Sequence, residues 1–197
     1  MNKMINANLR YSLSDIKANV DWNKIVSSIP DYLYLQKKKF DDIEYEKKFT
    51  SFYKLNLGKN NNAFKKKYFA LLKESSKKNT VHFENVIQRL SKINSKSQLS
   101  FSSKLVATID NKKCVIDSRI LHQLSISRYY IKDTTKRQKR DIEIYNAVNK
   151  FFNAFAKQKE GKELLKIFND KTKKIKGATK VSAVKKLDFI FWQTSLN

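Results

Sequence analysis

Only three glycines (Gly58, Gly161 and Gly177) and one proline (Pro30) punctuate this chain of 197 residues. Tight hairpin turns depend on residues that accept left-handed backbone, so an all-β protein of this length needs many more of them. The shortage directs the chain toward helices, and the apolar spacing agrees. Ser14-Asp15 is expected to cap a helix with Ile16, Val20, Ile25 and Ile29 near one face, stopped by Pro30-Asp31. Phe40, Ile43, Phe49, Phe52 and Leu55 repeat at near-helical period toward Gly58, a candidate C-terminal cap. Phe64, Tyr68, Leu71 and Leu72 mark a short helix, and Val81, Phe83, Val86, Ile87 and Leu90 mark another. The strongest periodicity runs over 141–157, with Ile144, Val148, Phe151, Phe152 and Phe155 on one side. Two further helical runs, 161–170 and 181–193, flank the basic segment 171–180. Eight or nine helices in one compact body are expected.

Charge narrows the partner. Forty-two Lys and Arg face 18 Asp and Glu, a formal net charge of +24. Such an excess repels itself and calls for a polyanion or an acidic surface. Nucleic acid is the default polyanion, because each neutralised phosphate releases a counterion. Coding DNA biased toward Lys and Asn codons would raise lysine, but it would not account for so few acids. Basic clusters recur at Lys37-Lys38-Lys39, Lys65-Lys66-Lys67, Lys112-Lys113, 136–140 and 171–176. A lone Cys114 excludes an intrachain disulfide and a cysteine-rich metal centre, and two histidines, His82 and His122, make zinc a poor fit. No cofactor and no metal are therefore expected. No apolar run reaches the length of a membrane span or a secretory leader, so a cytoplasmic protein without membrane contact is expected.

The segment 101–121, FSSKLVATIDNKKCVIDSRIL, carries the candidate chemistry. As strands it would be a hairpin across Asn111-Lys112-Lys113. As helices, Ser102 or Ser103 caps an apolar helix, the basic loop turns the chain, and Asp117 caps the next helix. The second reading places Lys104 and Asp117 at the two edges of one loop. A cap and a surface lysine would account for them without any chemistry.

This segment resembles the catalytic region of the helix-hairpin-helix DNA glycosylases, in which a hairpin Lys precedes an apolar helix and an Asp opens the next. It is more narrowly similar to small bacterial 8-oxoguanine glycosylase-like proteins. Ser103-Lys104 and Val115-Ile116-Asp117-Ser118-Arg119-Ile120 carry the likeness, and the run 185–193, KKLDFIFWQ, resembles that group's Leu-Asp-x-x-Leu-Trp-Gln ending. Two departures stand beside it: the stretch 94–104 lacks the glycines of the usual hairpin, and Cys114-Val115 replaces the proline before the Asp. The resemblance implies a mainly α, two-lobed helical bundle. Its lobes would be 31–111 and 1–30 with 112–197, facing across a cleft. It implies a monomeric DNA glycosylase acting on a damaged or modified base flipped out of double-stranded DNA. Asp117 would stabilise the sugar cation, and Lys104 would serve as nucleophile or DNA contact. A modified phage base, and so an antiviral role, is as reasonable a substrate as an oxidised, deaminated or alkylated one.

Under that reading Ser102, Ser103, Lys112, Lys113, Arg119, Lys136, Arg137, Lys139 and Arg140 are the candidate DNA contacts. Tyr11, Trp22, Tyr129, Tyr130 and Trp192 are candidates for the base pocket, where planar side chains stack on a flipped base. His122, one turn after Arg119, fits a structural or surface role, and Cys114 a buried one. Two rival classes remain open: a basic helical protein that binds DNA or RNA without cutting it, and a basic adaptor for a ribosome or protein partner.

Overall fold

The computed structural model describes residues 5–37, 40, 42–55, 62–77, 81–94 and 98–195. Among these, ten α-helices and one 3-10 turn occur and no strand: α1 (Leu13–Asn19), α2 (Trp22–Leu35), α3 (Ile43–Phe52), α4 (Asn62–Lys77), α5 (Phe83–Asn94), α6 (Leu99–Ile109), α7 (Ser118–Gln123), α8 (Thr134–Phe155), α9 (Lys159–Thr172) and α10 (Ala183–Gln193). The mainly α expectation holds, and the segment 101–121 is helix, loop and helix.

Several boundaries differ from the expected ones for local physical reasons. The first expected helix is two. Ser12, not Ser14, closes a capping box with Asp15 at the start of α1, and Asp21 accepts the Lys24 N–H to start α2. The break falls at Val20, whose extended backbone forms an isolated antiparallel bridge with Thr194. Pro30 lies inside α2 on its exposed side and does not end it, so a lobe boundary between residues 30 and 31 would fall within that helix. α3 stops at Phe52, and Lys54 takes a left-handed φ of 46°. Gly58 lies outside the described residues, as do Lys38 and Lys39. Ile43 is 74% exposed, and Tyr45 holds the inward position. α8 begins seven residues before the expected Asp141, because Asp133 accepts the Lys136 N–H and caps it. The basic cluster 136–140 therefore occupies its first turns.

α10 is the central post. Its residues Val184–Phe191 are all buried, and it packs against α2, α7, α8 and α9. α4, α5 and α6 pack on one another, and α8 touches both groups through α5, α6 and α10. Aromatic rings supply much of the core: Tyr32, Tyr45, Phe49, Tyr68, Phe152 and Phe189 are buried. Burying rings of this size brings large apolar area out of water per residue ordered.

Candidate active site

The loop between α6 and α7 is held by hydrogen bonds rather than by glycine turns. The Ser103 hydroxyl accepts the Ile116 N–H at 2.9 Å, and the Asn149 side chain accepts the Cys114 N–H at 3.1 Å. Ser182, which caps α10, donates to the Asn111 carbonyl. The Ser103–Ile116 clamp spans thirteen residues. The next residues along, Lys104 and Asp117, have the same separation and line one small pocket. That clamp corrects the expected role of the serines. α6 begins at Leu99, so Ser102 and Ser103 sit inside it, fully buried, and neither caps the helix nor reaches a DNA backbone.

Asp117 is held on both oxygens. Oδ1 accepts the Ile120 N–H at 3.1 Å as the cap of α7, and Oδ2 accepts the Trp192 indole N–H at 2.8 Å. Arg119 adds a second tie to the end of α10 by donating to the Trp192 carbonyl at 3.1 Å. Phe52, Tyr53, Val115, Lys185, Asp188 and Phe189 complete the wall with Lys104, Asp117 and Trp192. Burial holds the Lys104 amine below the usual lysine range; Lys185 adds to that effect and Asp117 opposes it. The cavity itself is about 20 Å³, room for roughly one water.

Behind Lys104 and Asp117 stands a second lysine–aspartate pair. Lys185 Nζ is 2.5 Å from Asp188 Oδ2, with both side chains nearly inaccessible. The ammonium also lies 4.7–5.9 Å from the ring centroids of Phe189, Tyr32, Tyr53 and Phe52. Such a cage favours a desolvated cation. Burial is the largest influence on Lys185 and works to lower it, but the charge and hydrogen bond of Asp188 together with Tyr53 and Cys114 outweigh it and raise the amine. Burial pushes Asp188 up against the pull of Lys185. Neither residue was a candidate on the sequence, although both lie in the run 185–193. Their spacing of three, and of four from Asp188 to Trp192, puts all three on one helix face.

The other expected pocket aromatics lie elsewhere. Trp22 is half-buried at the start of α2, and the Tyr11 hydroxyl is 2.8 Å from His122 Nε2. Tyr129 and Tyr130 line a separate concavity with Arg137 and Arg140. Only Trp192 of the five candidates walls the pocket. Lys112, Lys136 and Lys139 are exposed, and Lys113 is half-buried. Cys114 is fully buried, which pushes its thiol well up and leaves it unreactive. The described residues contain no cluster of metal-ligating side chains, and no helix among them is long and apolar enough to cross a membrane. No family model, no curated protein sequence and no solved structure matches this chain.

Proposed function

We propose that this protein is a DNA glycosylase whose reacting groups are Lys104 and Asp117. The observation that carries the reading is their meeting at one pocket, with the Lys104 amine depressed by burial and the Asp117 carboxylate fixed by Trp192 and the α7 backbone. A depressed amine keeps a larger neutral fraction near neutral pH and is the stronger nucleophile for it. With a flipped nucleotide at the pocket mouth, the Nζ–C1′ bond forms as the C1′–N bond breaks. The bonding pair leaves on the base, which takes up a proton from water. Opening of the sugar ring, with the amine's proton passed through Asp117 to O4′, then leaves a protonated Schiff base on Lys104. The Asp117 carboxylate faces the positive charge that develops on the sugar and accepts the proton released by the amine. The net charge of +24 supplies the attraction for the phosphate backbone.

A second reading, nucleic-acid binding without base removal, is favoured by one feature. A cavity of about 20 Å³ is too small to hold a base. One experiment separates the two. The protein is incubated with genomic DNAs, including phage DNA carrying modified cytosines, and abasic sites are scored. Under the glycosylase reading at least one DNA loses bases, and Asp117→Asn abolishes the loss while duplex binding persists. Tight binding with no abasic sites on any DNA of the panel refutes it and leaves the binding reading.

A further inference from the structure

The loop between α7 and α8 displays two neighbouring aromatic rings to solvent. Tyr129 is 60% and Tyr130 80% exposed. Exposed rings of this size are unusual on a protein surface, and a pair of them is a candidate contact. Each has a guanidinium beside it: Arg137 lies 5.0 Å from the Tyr130 centroid and Arg140 5.5 Å from that of Tyr129.

The loop is anchored at both ends to α8. Arg128 grips the buried Asp141 with two hydrogen bonds of 2.8 and 2.7 Å. Arg137 donates from Nε to the Ile131 carbonyl at 2.6 Å, and its Nη2 shares the same acceptor. The rings are thus presented by a tethered loop around a concavity of about 330 Å³. The segment 125–143 holds six basic residues (Arg128, Lys132, Lys136, Arg137, Lys139, Arg140) against three acids (Asp133, Asp141, Glu143), and Asp141 is already committed to Arg128. Glu143 faces Arg140 at 3.5 Å, and the buried Arg140 Nε has no hydrogen-bond acceptor.

From this juxtaposition we infer that the Tyr129–Tyr130 loop is a second nucleic-acid site, a stacking platform for unpaired DNA bases flanked by cations that take the phosphates. Stacking needs a free base face, which duplex DNA covers with its own neighbours, so the platform selects unpaired nucleotides. The inference rests on the nucleic-acid partner of the proposed function but not on any reaction at Lys104.

The test measures binding of an end-labelled oligothymidine and of a blunt duplex by anisotropy across a salt series. The double variant Tyr129→Ala/Tyr130→Ala is expected to lose about tenfold or more in single-strand affinity. The loss should leave the slope of log K on log salt unchanged, because no phosphate contact is removed. Tyr129→Phe/Tyr130→Phe should retain parental affinity, and the duplex should be affected less than the single strand. Lys136→Gln/Lys139→Gln should instead lower the single-strand slope by about 1.4. Equal binding of the single strand by the alanine variant and the parent overturns the platform. Displacement of the oligonucleotide by polyglutamate of matched charge as readily as by unlabelled oligothymidine also overturns it. Base release by the parent reports on Lys104 and Asp117 separately, so either idea can fail while the other stands.

Discussion

The bond between Asp117 and Trp192 joins the start of α7 to the end of α10 across 75 residues of sequence, and it can be weighed. Asp117→Asn keeps a cap oxygen, because Asn and Asp cap equally well. The oxygen that met the indole becomes an NH₂, however, so donor faces donor. A half-buried indole N–H without an acceptor costs about 1–3 kcal/mol. Asp117→Ala removes the cap as well, for about 1 kcal/mol more. Trp192→Phe removes the donor and leaves Asp117 Oδ2 for water at the pocket mouth. Urea unfolding followed by far-UV circular dichroism reads all three. With a slope of about 2 kcal/mol per molar urea, Asp117→Asn should lower the midpoint by roughly 1 M. The decisive quantity is the double-mutant cycle of Asp117→Asn with Trp192→Phe. If the bond is made, the double variant costs less than the sum of the singles, by about 1–2 kcal/mol. Additivity within about 0.5 kcal/mol would show that the indole does not hold the carboxylate, and the argument for a fixed Asp117 would fall with it.

Three further outcomes follow from the same geometry. Lys185→Met should cost about 3–5 kcal/mol by orphaning Asp188, whereas Lys185→Met/Asp188→Leu should recover most of the loss. Asp188 is already raised by burial, and losing Lys185 raises it further, so the native state of the single variant binds more protons than the unfolded chain. Its stability should therefore fall as pH rises above the unfolded carboxylate value of 3.8, and a urea midpoint equal at pH 5 and pH 8 would contradict the buried ion pair. For Lys104, lowered by burial, the unfolded chain binds more protons, so stability should rise with pH between its lowered value and 10.5, a rise that Lys104→Met abolishes. Competitive acetylation read by mass spectrometry should place the Lys104 midpoint below those of exposed lysines, and a midpoint at or above 10.5 would remove the case for a nucleophile. Finally, Gly161→Ala would set a Cβ 1.8 Å from the Phe155 carbonyl oxygen, where α9 starts against the end of α8. A cost of about 3 kcal/mol should lower Tm by roughly 10 °C, and an unchanged Tm would deny that close approach.

Helical periodicity carried most of the fold because long amphipathic runs bury one face whatever their neighbours are, as Ile144, Val148, Phe152 and Phe155 show in α8. The errors sit where tertiary contacts override local pattern. Val20 leaves the helix to meet Thr194, a partner 174 residues away that no window along the chain contains. Ser102 and Ser103 looked like caps because serine favours that position. They are inside α6 because one hydroxyl secures Ile116. The short loop between Lys104 and Asp117 made their closeness legible, and both line one pocket. Lys185 and Asp188 were overlooked because a charged pair in an apolar helix is read as two exposed positions. Yet a lysine and an aspartate three apart, amid Leu187, Phe189, Ile190 and Phe191, had no solvent face left to occupy.

The buried pair changes what Lys104 and Asp117 can do. A lone surface lysine beside an aspartate forms a salt-screened contact worth little and keeps an ordinary amine. Here Lys185 is a buried charge, with aromatic rings around its ammonium and Asp188 paired to it. Burial is the chief cause that lowers the Lys104 amine, and Lys185 adds to it as a like charge in the desolvated wall, against the larger opposing pull of Asp117. Asp117 supplies the opposing charge from the loop side, and Trp192 holds it there. A buried lysine with a lowered pKa is a poorer phosphate contact than the exposed lysines of this chain. Lys186 is lowered by burial as well, but it donates to Asn169, whereas Lys104 lines the same pocket as Asp117. That shared pocket is the geometry on which the proposed chemistry at Lys104 rests.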